Sequence, residues 1–107
     1  MAITNITGQA APNATTETDL YTVPASSRVT VSSVLICNRG AAATFRVSHS
    51  VGGGATTSKD YWRYDQELAA NGTEVLTIGA TLNAGDKIRC YASTATVSFA
   101  VYGVKIT

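Results

Sequence analysis

Apolar residues in this chain recur at every second position over short segments, which is the spacing of β-strands with one buried face. The longest segment of this kind is Arg28–Asn38, where Val29 and Val31 alternate with hydroxyl-bearing residues. From Val34 to Cys37 every residue is apolar. Either a β-bulge near Ser32-Ser33 shifts the alternation, or both faces of the strand are buried at that end.

The same alternation predicts further strands along the chain. The residues expected to face the core in the later strands are Phe45, Val47, Ile88, Cys90, Ala92, Val97, Phe99 and Val101. In the last strand Gly103 is expected to shift the phase, so that Val104 and Ile106 continue the inward face. Turns rich in Gly, Pro and Asn separate the strands, and Asn71-Gly72 is the strongest hairpin signal.

Seven or eight short strands at spacings near ten residues, with no helical periodicity, predict an all-β fold. We expect a single antiparallel β-sandwich of jelly-roll or immunoglobulin-like type, whose strand order the pattern leaves open. The sandwich is expected over residues 19–107, preceded by an extended N-terminal arm over residues 1–18. A segment as small and polar as this arm cannot stay ordered alone. It therefore either pairs along a sheet edge of its own domain or, the favoured alternative, lies across a neighbouring subunit.

Composition narrows the classes of function. The chain has 107 residues, enough for one domain, and only 14% of them are charged, against about 25% in typical proteins. Its formal net charge is +1, with the charges scattered singly, which disfavours nucleic-acid binding. The longest apolar run is too short to cross a membrane. Since the N-terminus lacks the basic and apolar regions of a signal peptide, we expect synthesis and folding in a cytosol.

Residues able to carry chemistry are few and isolated. His49 is the only histidine, and it is expected to be a polar residue facing a loop. Cys37 and Cys90 are expected to be reduced thiols that act as small buried apolar groups, because disulfides are rare in a cytosol. Two cysteines and one histidine cannot complete a tetrahedral zinc site. The sequence thus predicts no enzyme, no metal and no cofactor.

The run Tyr61-Trp62-Arg63-Tyr64 is the clearest candidate binding feature, because Tyr, Trp and Arg are enriched in interface hot spots. Strand alternation must place either Tyr61 and Arg63 or Trp62 and Tyr64 away from the core. The alternatives are that the run partly fills the core and covers an edge, forms a protein interface, or stacks on a sugar. The residues predicted to form an interface are these four together with two arm residues, Ile3 and Ile6.

Several short motifs resemble a known family. They are Tyr21-Thr22-Val23-Pro24-Ala25, Ile36-Cys37-Asn38-Arg39, Ala43-Thr44-Phe45-Arg46-Val47, Tyr61-x-x-Tyr64-Asp65, Leu82-x-Ala84-Gly85-Asp86, Tyr91-Ala92-Ser93 and Phe99-x-x-Tyr102-Gly103-Val104. Together they are similar to small structural proteins of tailed bacteriophages and prophages. The likeness covers most of the chain from Leu20 onward and does not include the arm. It is carried by turn and core residues, not by a site.

This resemblance implies a virion protein of the head decoration, or cement, type, made in the host bacterial cytoplasm. Such a protein would form a homo-oligomer, with a trimer as the expected state, and bind other virion proteins, foremost the major capsid protein. Nucleic acid and membrane are not among the expected partners. A different class of function, a receptor- or carbohydrate-binding module of a tail or fibre, would use Tyr61, Trp62 and Tyr64 as a stacking platform.

Overall fold

A computed structural model describes residues 2–107, so Met1 of the predicted arm lies outside the described residues. Within these residues eight strands and one turn of 3₁₀ helix, Val51–Gly53, follow one another. The strands are β1 (Ile3–Ala10), β2 (Thr18–Thr22), β3 (Arg28–Asn38), β4 (Ala43–Ser50), β5 (Tyr61–Leu68), β6 (Thr73–Asn83), β7 (Lys87–Ala92) and β8 (Val97–Ile106). The predicted all-β fold is confirmed.

The strands form two four-stranded antiparallel sheets. Sheet A has the order β1-β8-β3-β6 and sheet B the order β2-β7-β4-β5. The first strand thus pairs with the eighth, the second with the seventh, the third with the sixth and the fourth with the fifth. A long antiparallel ribbon rolled into two sheets has this pairing, which is the jelly-roll topology and not the immunoglobulin-like one.

The core lies between the two sheets, and both contribute apolar side chains to it. Sheet A supplies mainly valine, isoleucine and leucine from β3, β6 and β8, and sheet B supplies side chains from β4 and β7. At the centre the rings of Phe45 and Phe99 meet edge to face, with centroids 6.2 Å apart. All eight residues that the alternation predicted to face the core are buried. Period-two spacing suffices to find them because each lies on an uninterrupted stretch of strand.

The predicted bulge in β3 is confirmed. The register of β3 against β8 shifts between Val31 and Ser33, which leaves Ser32 as the extra residue. Its hydroxyl donates a hydrogen bond of 3.1 Å to the carbonyl oxygen of Tyr102. Beyond the bulge Val34 and Ile36 continue the buried face, and the residues between and after them are half-buried on the outer side of sheet A. The bulge thus explains the change of phase, whereas Leu35 and Cys37 are apolar residues on the outer face of sheet A.

Residues 3–10 belong to sheet A of their own domain. They pair with β8 from Ile3 opposite Ile106 to Ala10 opposite Phe99. This is the first of the two alternatives for the predicted arm, and not the favoured one. The pairing satisfies the backbone of a segment that has too few apolar side chains to fold alone.

Two local expectations are wrong. Asn71-Gly72 does form a turn, with Asn71 at φ 57°, but this turn leads from β5 in sheet B to β6 in sheet A and does not join a hairpin. Gly103 causes no phase shift, because β8 pairs with β1 in unbroken register. Val104 and Ile106 therefore face outward, each 37% exposed.

Two buried polar residues hold the loops at opposite ends of the sandwich. The side chain of Asn38, 1% exposed, donates to the carbonyl oxygens of Ala41 and Ala69 and accepts from Gly40 and Thr96. At the other end Asp86, 3% exposed, accepts hydrogen bonds from His49 and from the backbone of Gly52 and Asn83. Both side chains satisfy backbone groups that the strands leave unpaired.

Candidate interaction surfaces

The outer face of sheet A is almost free of charge. We call it the neutral face, formed by the outward-facing strand residues Ile3, Asn5, Thr7, Gln9, Arg28, Thr30, Ser33, Leu35, Cys37, Thr73, Val75, Thr77, Gly79, Thr81, Asn83, Ser98, Ala100, Tyr102, Val104 and Ile106. Among these described positions only Arg28 carries a formal charge. Hydroxyl and amide groups supply the remaining polarity.

Large apolar side chains lie exposed on this neutral face. Ile3 is 63% exposed and Val75 55% exposed, and Tyr102, Val104 and Ile106 form a row along β8. Ile3 pairs directly with Ile106, so the row continues onto β1. Exposed apolar side chains gathered on one surface mark a contact site more often than single ones do. The neutral face is therefore a candidate protein interface.

The outer face of sheet B, in contrast, carries several ion pairs, and we call it the ion-paired face. It is formed by Asp19, Arg46, Tyr64, Asp65, Lys87, Arg89 and Tyr91. Arg46 lies between two rings, with its guanidinium carbon 4.4 Å from the centroid of Tyr64 and 4.3 Å from that of Tyr91. Its Nε donates to Asp65 at 2.6 Å. This hydrogen bond raises the pKa of Arg46 and lowers that of Asp65.

A second group of ion pairs on this face holds the loop that follows β4. Asp19 accepts from Lys87 at 2.9 Å and from Arg89 at 3.0 Å. The hydrogen bond from Lys87, with that from Arg89, keeps the pKa of Asp19 below its ordinary value despite partial burial. Arg89 also donates to the carbonyl oxygens of Gly53 and Gly54. The Gly-rich loop is thus tied to β7 by one guanidinium.

Next to this loop lies a small cleft with aromatic and hydroxyl walls. We call it the tyrosine cleft; it is lined by Thr56, Thr57, Ser58, Tyr61 and Tyr64 and has a volume of about 400 Å³. The rings of Tyr61 and Tyr64 meet edge to face with centroids 4.8 Å apart, and Tyr64 is 58% exposed. Other depressions on the surface have similar volumes, so the aromatic and hydroxyl lining is what distinguishes this cleft.

Two register shifts in β5 decide which side chains reach this cleft. They lie opposite the steps from Phe45 to Val47 and from Val47 to Ser48 on β4. Simple alternation would separate Tyr61 from Tyr64, but the irregularities bring the two rings together. Tyr61 and Arg63 lie away from the core, as one of the two alternatives has it, but Tyr64 does not share the inward direction of Trp62 and lies exposed beside Tyr61.

The predicted interface residues lie in several different places. Ile3 is exposed on the neutral face, and Tyr61 and Tyr64 line the tyrosine cleft. Ile6 is buried in the core, and Trp62 packs against the core with its ring 5.7 Å from that of His49. Ile6 is thus not available for a contact, whereas Trp62 is only half-buried.

Arg63, the remaining predicted interface residue, joins the two sheets at one side of the sandwich. Its Nε donates at 3.1 Å to Glu74, so that β5 of sheet B is linked to β6 of sheet A. The sequence did not indicate Arg46, Tyr91 or the outward row on β8. Strict alternation through Gly103 would have found the row.

His49 is not a free polar residue facing a loop, as expected, but a partner of Asp86. Its Nε2 lies 3.0 Å from one Asp86 carboxylate oxygen, while the backbone N–H groups of Gly52 and Asn83 donate to the same carboxylate at 2.8 and 3.0 Å. Burial raises the pKa of Asp86, but these three hydrogen bonds outweigh burial and leave the pKa below its ordinary value. The pair thus anchors the backbone at Gly52 and at Asn83.

Across residues 2–107 no three His, Cys, Asp or Glu side chains are grouped so as to hold a metal ion. No helix in this described part is long and apolar enough to cross a membrane. Comparison with models of known protein families gave no match, and comparison with curated proteins gave none either.

The two free cysteines should differ in reactivity. Burial, with the negative charges of Asp19 and Glu17 nearby, raises the pKa of the Cys90 thiol to about 12. Cys37 is half-buried on the neutral face. We expect a maleimide at pH 7.5 to label Cys37 and leave Cys90 unlabelled in the folded protein, because the thiolate is the nucleophile. Mass spectrometry of labelled peptides measures this, and equal labelling of both residues would contradict the buried position of Cys90.

Proposed function

We propose that this protein is a structural component of a tailed-phage virion, a head decoration protein that acts by binding alone. The observation that supports this proposal best is the contrast between the two outer faces of the sandwich. A protein that bridges neighbours needs two separate contact surfaces, and the neutral and ion-paired faces are separate and chemically different. No bond is made or broken in such a role.

The partners in this proposal are a further copy of the chain and the major capsid protein. The ion-paired face suits the capsid, because it presents Tyr64, Tyr91 and Arg46, which are residue types that dominate binding energy in interfaces. Arg46 is held between the rings, so little side-chain entropy is lost when the face is covered. The protein would be made in the bacterial cytoplasm and end in the virion, with no nucleic-acid or membrane contact.

The proposal predicts that purified protein binds to phage heads that lack it and raises the temperature at which they open. Tyr64→Ala removes an exposed ring of the ion-paired face and should weaken this binding at least about tenfold, as expected for a hot-spot residue. Val51→Ala, which changes an even more exposed apolar residue in a loop, is the control. Co-sedimentation with heads measures binding. A wild-type protein that fails to co-sediment would overturn the proposal.

A carbohydrate-binding module of a tail or fibre is the second candidate, and the tyrosine cleft is the observation that favours it. Exposed aromatic rings stack on sugars, and the hydroxyls of Thr56, Thr57 and Ser58 could orient sugar hydroxyl groups. Trp62, part of the platform predicted from sequence, is half-buried against the core and does not line this cleft. Titration with host polysaccharide should respond to Tyr64→Ala if this candidate is correct. Head binding without any response to polysaccharide would remove it.

A further inference from the structure

We propose that Asn71 is a site of spontaneous deamidation, which the folded turn suppresses and which local opening at this end of the sandwich permits. Asn71 is the only asparagine of the chain that precedes a glycine. It is exposed, so water reaches its side-chain amide. The modification needs no reactant other than water, and it is independent of the proposed function.

The chemistry begins when the backbone nitrogen of Gly72 attacks the side-chain carbonyl carbon of Asn71. The new C–N bond closes a five-membered succinimide ring, the bond to the former amide nitrogen breaks, and ammonia leaves with the proton of the Gly72 N–H. Water then opens the ring at one of its two carbonyl carbons. One opening gives aspartate at position 71, and the other gives isoaspartate, in which the main chain runs through the side-chain carbon.

Three backbone hydrogen bonds hold the two residues in the folded turn. The N–H of Gly72 donates to the carbonyl oxygen of Ala69 at 2.9 Å, which closes a β-turn with Asn71 at its third position. Asn71 also donates to the carbonyl oxygen of Gly40 at 3.1 Å, and Gly72 accepts from the N–H of Asn38 at 2.9 Å. The attack requires loss of the Gly72 proton. The turn must therefore release that N–H from Ala69 first.

Opening of this turn is coupled to the buried side chain of Asn38, which is 1% exposed. Its amide donates to the carbonyl oxygens of Ala41 and Ala69 and accepts from the N–H of Gly40. The turns over residues 38–41 and 69–72 thus share one buried amide. Since an opened turn leaves that amide with fewer partners, opening is rare in the folded protein. We therefore expect folded protein to deamidate much more slowly than the unfolded chain.

Isoaspartate is the product that affects the structure. It adds one carbon, about 1.5 Å of chain, to the main chain between β5 and β6. We expect the hydrogen bonds from Asn71 to Gly40 and from Asn38 to Gly72 not to re-form together on this longer path. Aspartate keeps the main chain and replaces an exposed amide by a carboxylate. A transient opening is thus converted into a permanent one by chemical modification.

Peptide mass spectrometry after incubation at pH 8.5 and 37 °C tests the site and its suppression. Deamidation raises the mass of the peptide that contains Asn71 by one unit. We expect rapid modification in 6 M guanidinium chloride and modification at least about tenfold slower in buffer, because two or more hydrogen bonds must break first. Gly72→Ala in guanidinium chloride is the matched control. Its added methyl group hinders the attacking nitrogen, so modification should be much slower than in the unfolded wild type.

Thermal unfolding tests the effect on the turn. Protein deamidated in guanidinium chloride is refolded and isolated by ion exchange, and an isoaspartyl methyltransferase assay identifies the isoaspartate form. We expect this form to melt at least about 5 °C below the wild type or to fail to refold. Asn71→Asp has the same charge with a normal main chain and should melt within about 2 °C of the wild type.

Each result supports or overturns the inference. Equal rates in buffer and in guanidinium chloride would overturn suppression by the turn, and an unmodified Asn71 in guanidinium chloride would overturn the site. An isoaspartate form that melts together with Asn71→Asp would overturn the effect on the turn. None of these measurements involves phage heads, so the outcome leaves the proposed function unchanged.

Discussion

Asp86→Ala is expected to lower the free energy of unfolding by about 4 kcal/mol, one of the two largest effects we anticipate. The carboxylate accepts from the backbone of Gly52 and Asn83 and pairs with His49, so its removal leaves three partners unsatisfied. Each unsatisfied buried group costs about 1–3 kcal/mol. A loss of this size would lower the melting temperature by more than about 15 °C in a domain of this length.

Asp19→Ala is the matched control for this change. Asp19 also accepts from two cationic side chains, Lys87 and Arg89, but its own side chain is 46% exposed. Exposed ion pairs contribute about 0–1 kcal/mol, so this variant should stay near the wild type. Guanidinium unfolding of both variants measures the difference. If Asp86→Ala and Asp19→Ala lost the same unfolding free energy, burial would not be the reason why Asp86 contributes to stability.

The same residue predicts a dependence on pH. The folded-state pKa of Asp86 lies below its ordinary value of 3.8, so the stabilisation it provides is complete above that pH and is lost as the pH falls further. Asp86→Asn cannot be protonated at this position. We therefore expect its unfolding free energy to fall less steeply than that of the wild type below pH 4. If the unfolding free energies of the wild type and of Asp86→Asn fell in parallel below pH 4, the lowered pKa of Asp86 would be contradicted.

Gly103→Ala is the second large effect, with an expected loss of about 3 kcal/mol. Gly103 lies on the inner strand β8 opposite Val31, and a methyl group there would overlap the carbonyl oxygen of Thr30 and approach the backbone of Val31. Backbone atoms in the middle of a sheet cannot move aside as a flexible side chain can. The overlap could be relieved only if β3 and β8 moved apart. The loss of stability is therefore expected at the upper end of the range for overpacked cores.

Gly79→Ala provides the control, since Gly79 lies on the edge strand β6 and an added methyl group meets no atom within 4 Å. We expect this variant to match the wild type or gain a few tenths of a kcal/mol from the reduced freedom of the unfolded chain. Thermal unfolding of the two variants compares them. A stable Gly103→Ala would mean that the strands approach each other less closely than the structure has them.

Much of the fold could be predicted from the residues alone. Apolar residues at every second position, such as Phe45 and Val47, identified the buried face correctly. The change of phase after Val31 indicated the bulge. Local patterns suffice there because a strand shows its buried side every second residue. The same rule failed for Tyr61–Tyr64, where irregular pairing between β4 and β5 brings Tyr61 and Tyr64 together.

The sequence by itself determined the class of fold, the core residues and the low charge of the chain, since these depend on local spacing and composition. Only the tertiary structure decided the jelly-roll order, the place of residues 3–10 beside β8 and the separation of a neutral from an ion-paired face. These features depend on contacts between residues far apart in the chain, as between Ile3 and Ile106. The alternating pattern along a strand predicts that a side chain faces outward, but it does not predict which other strands share that face.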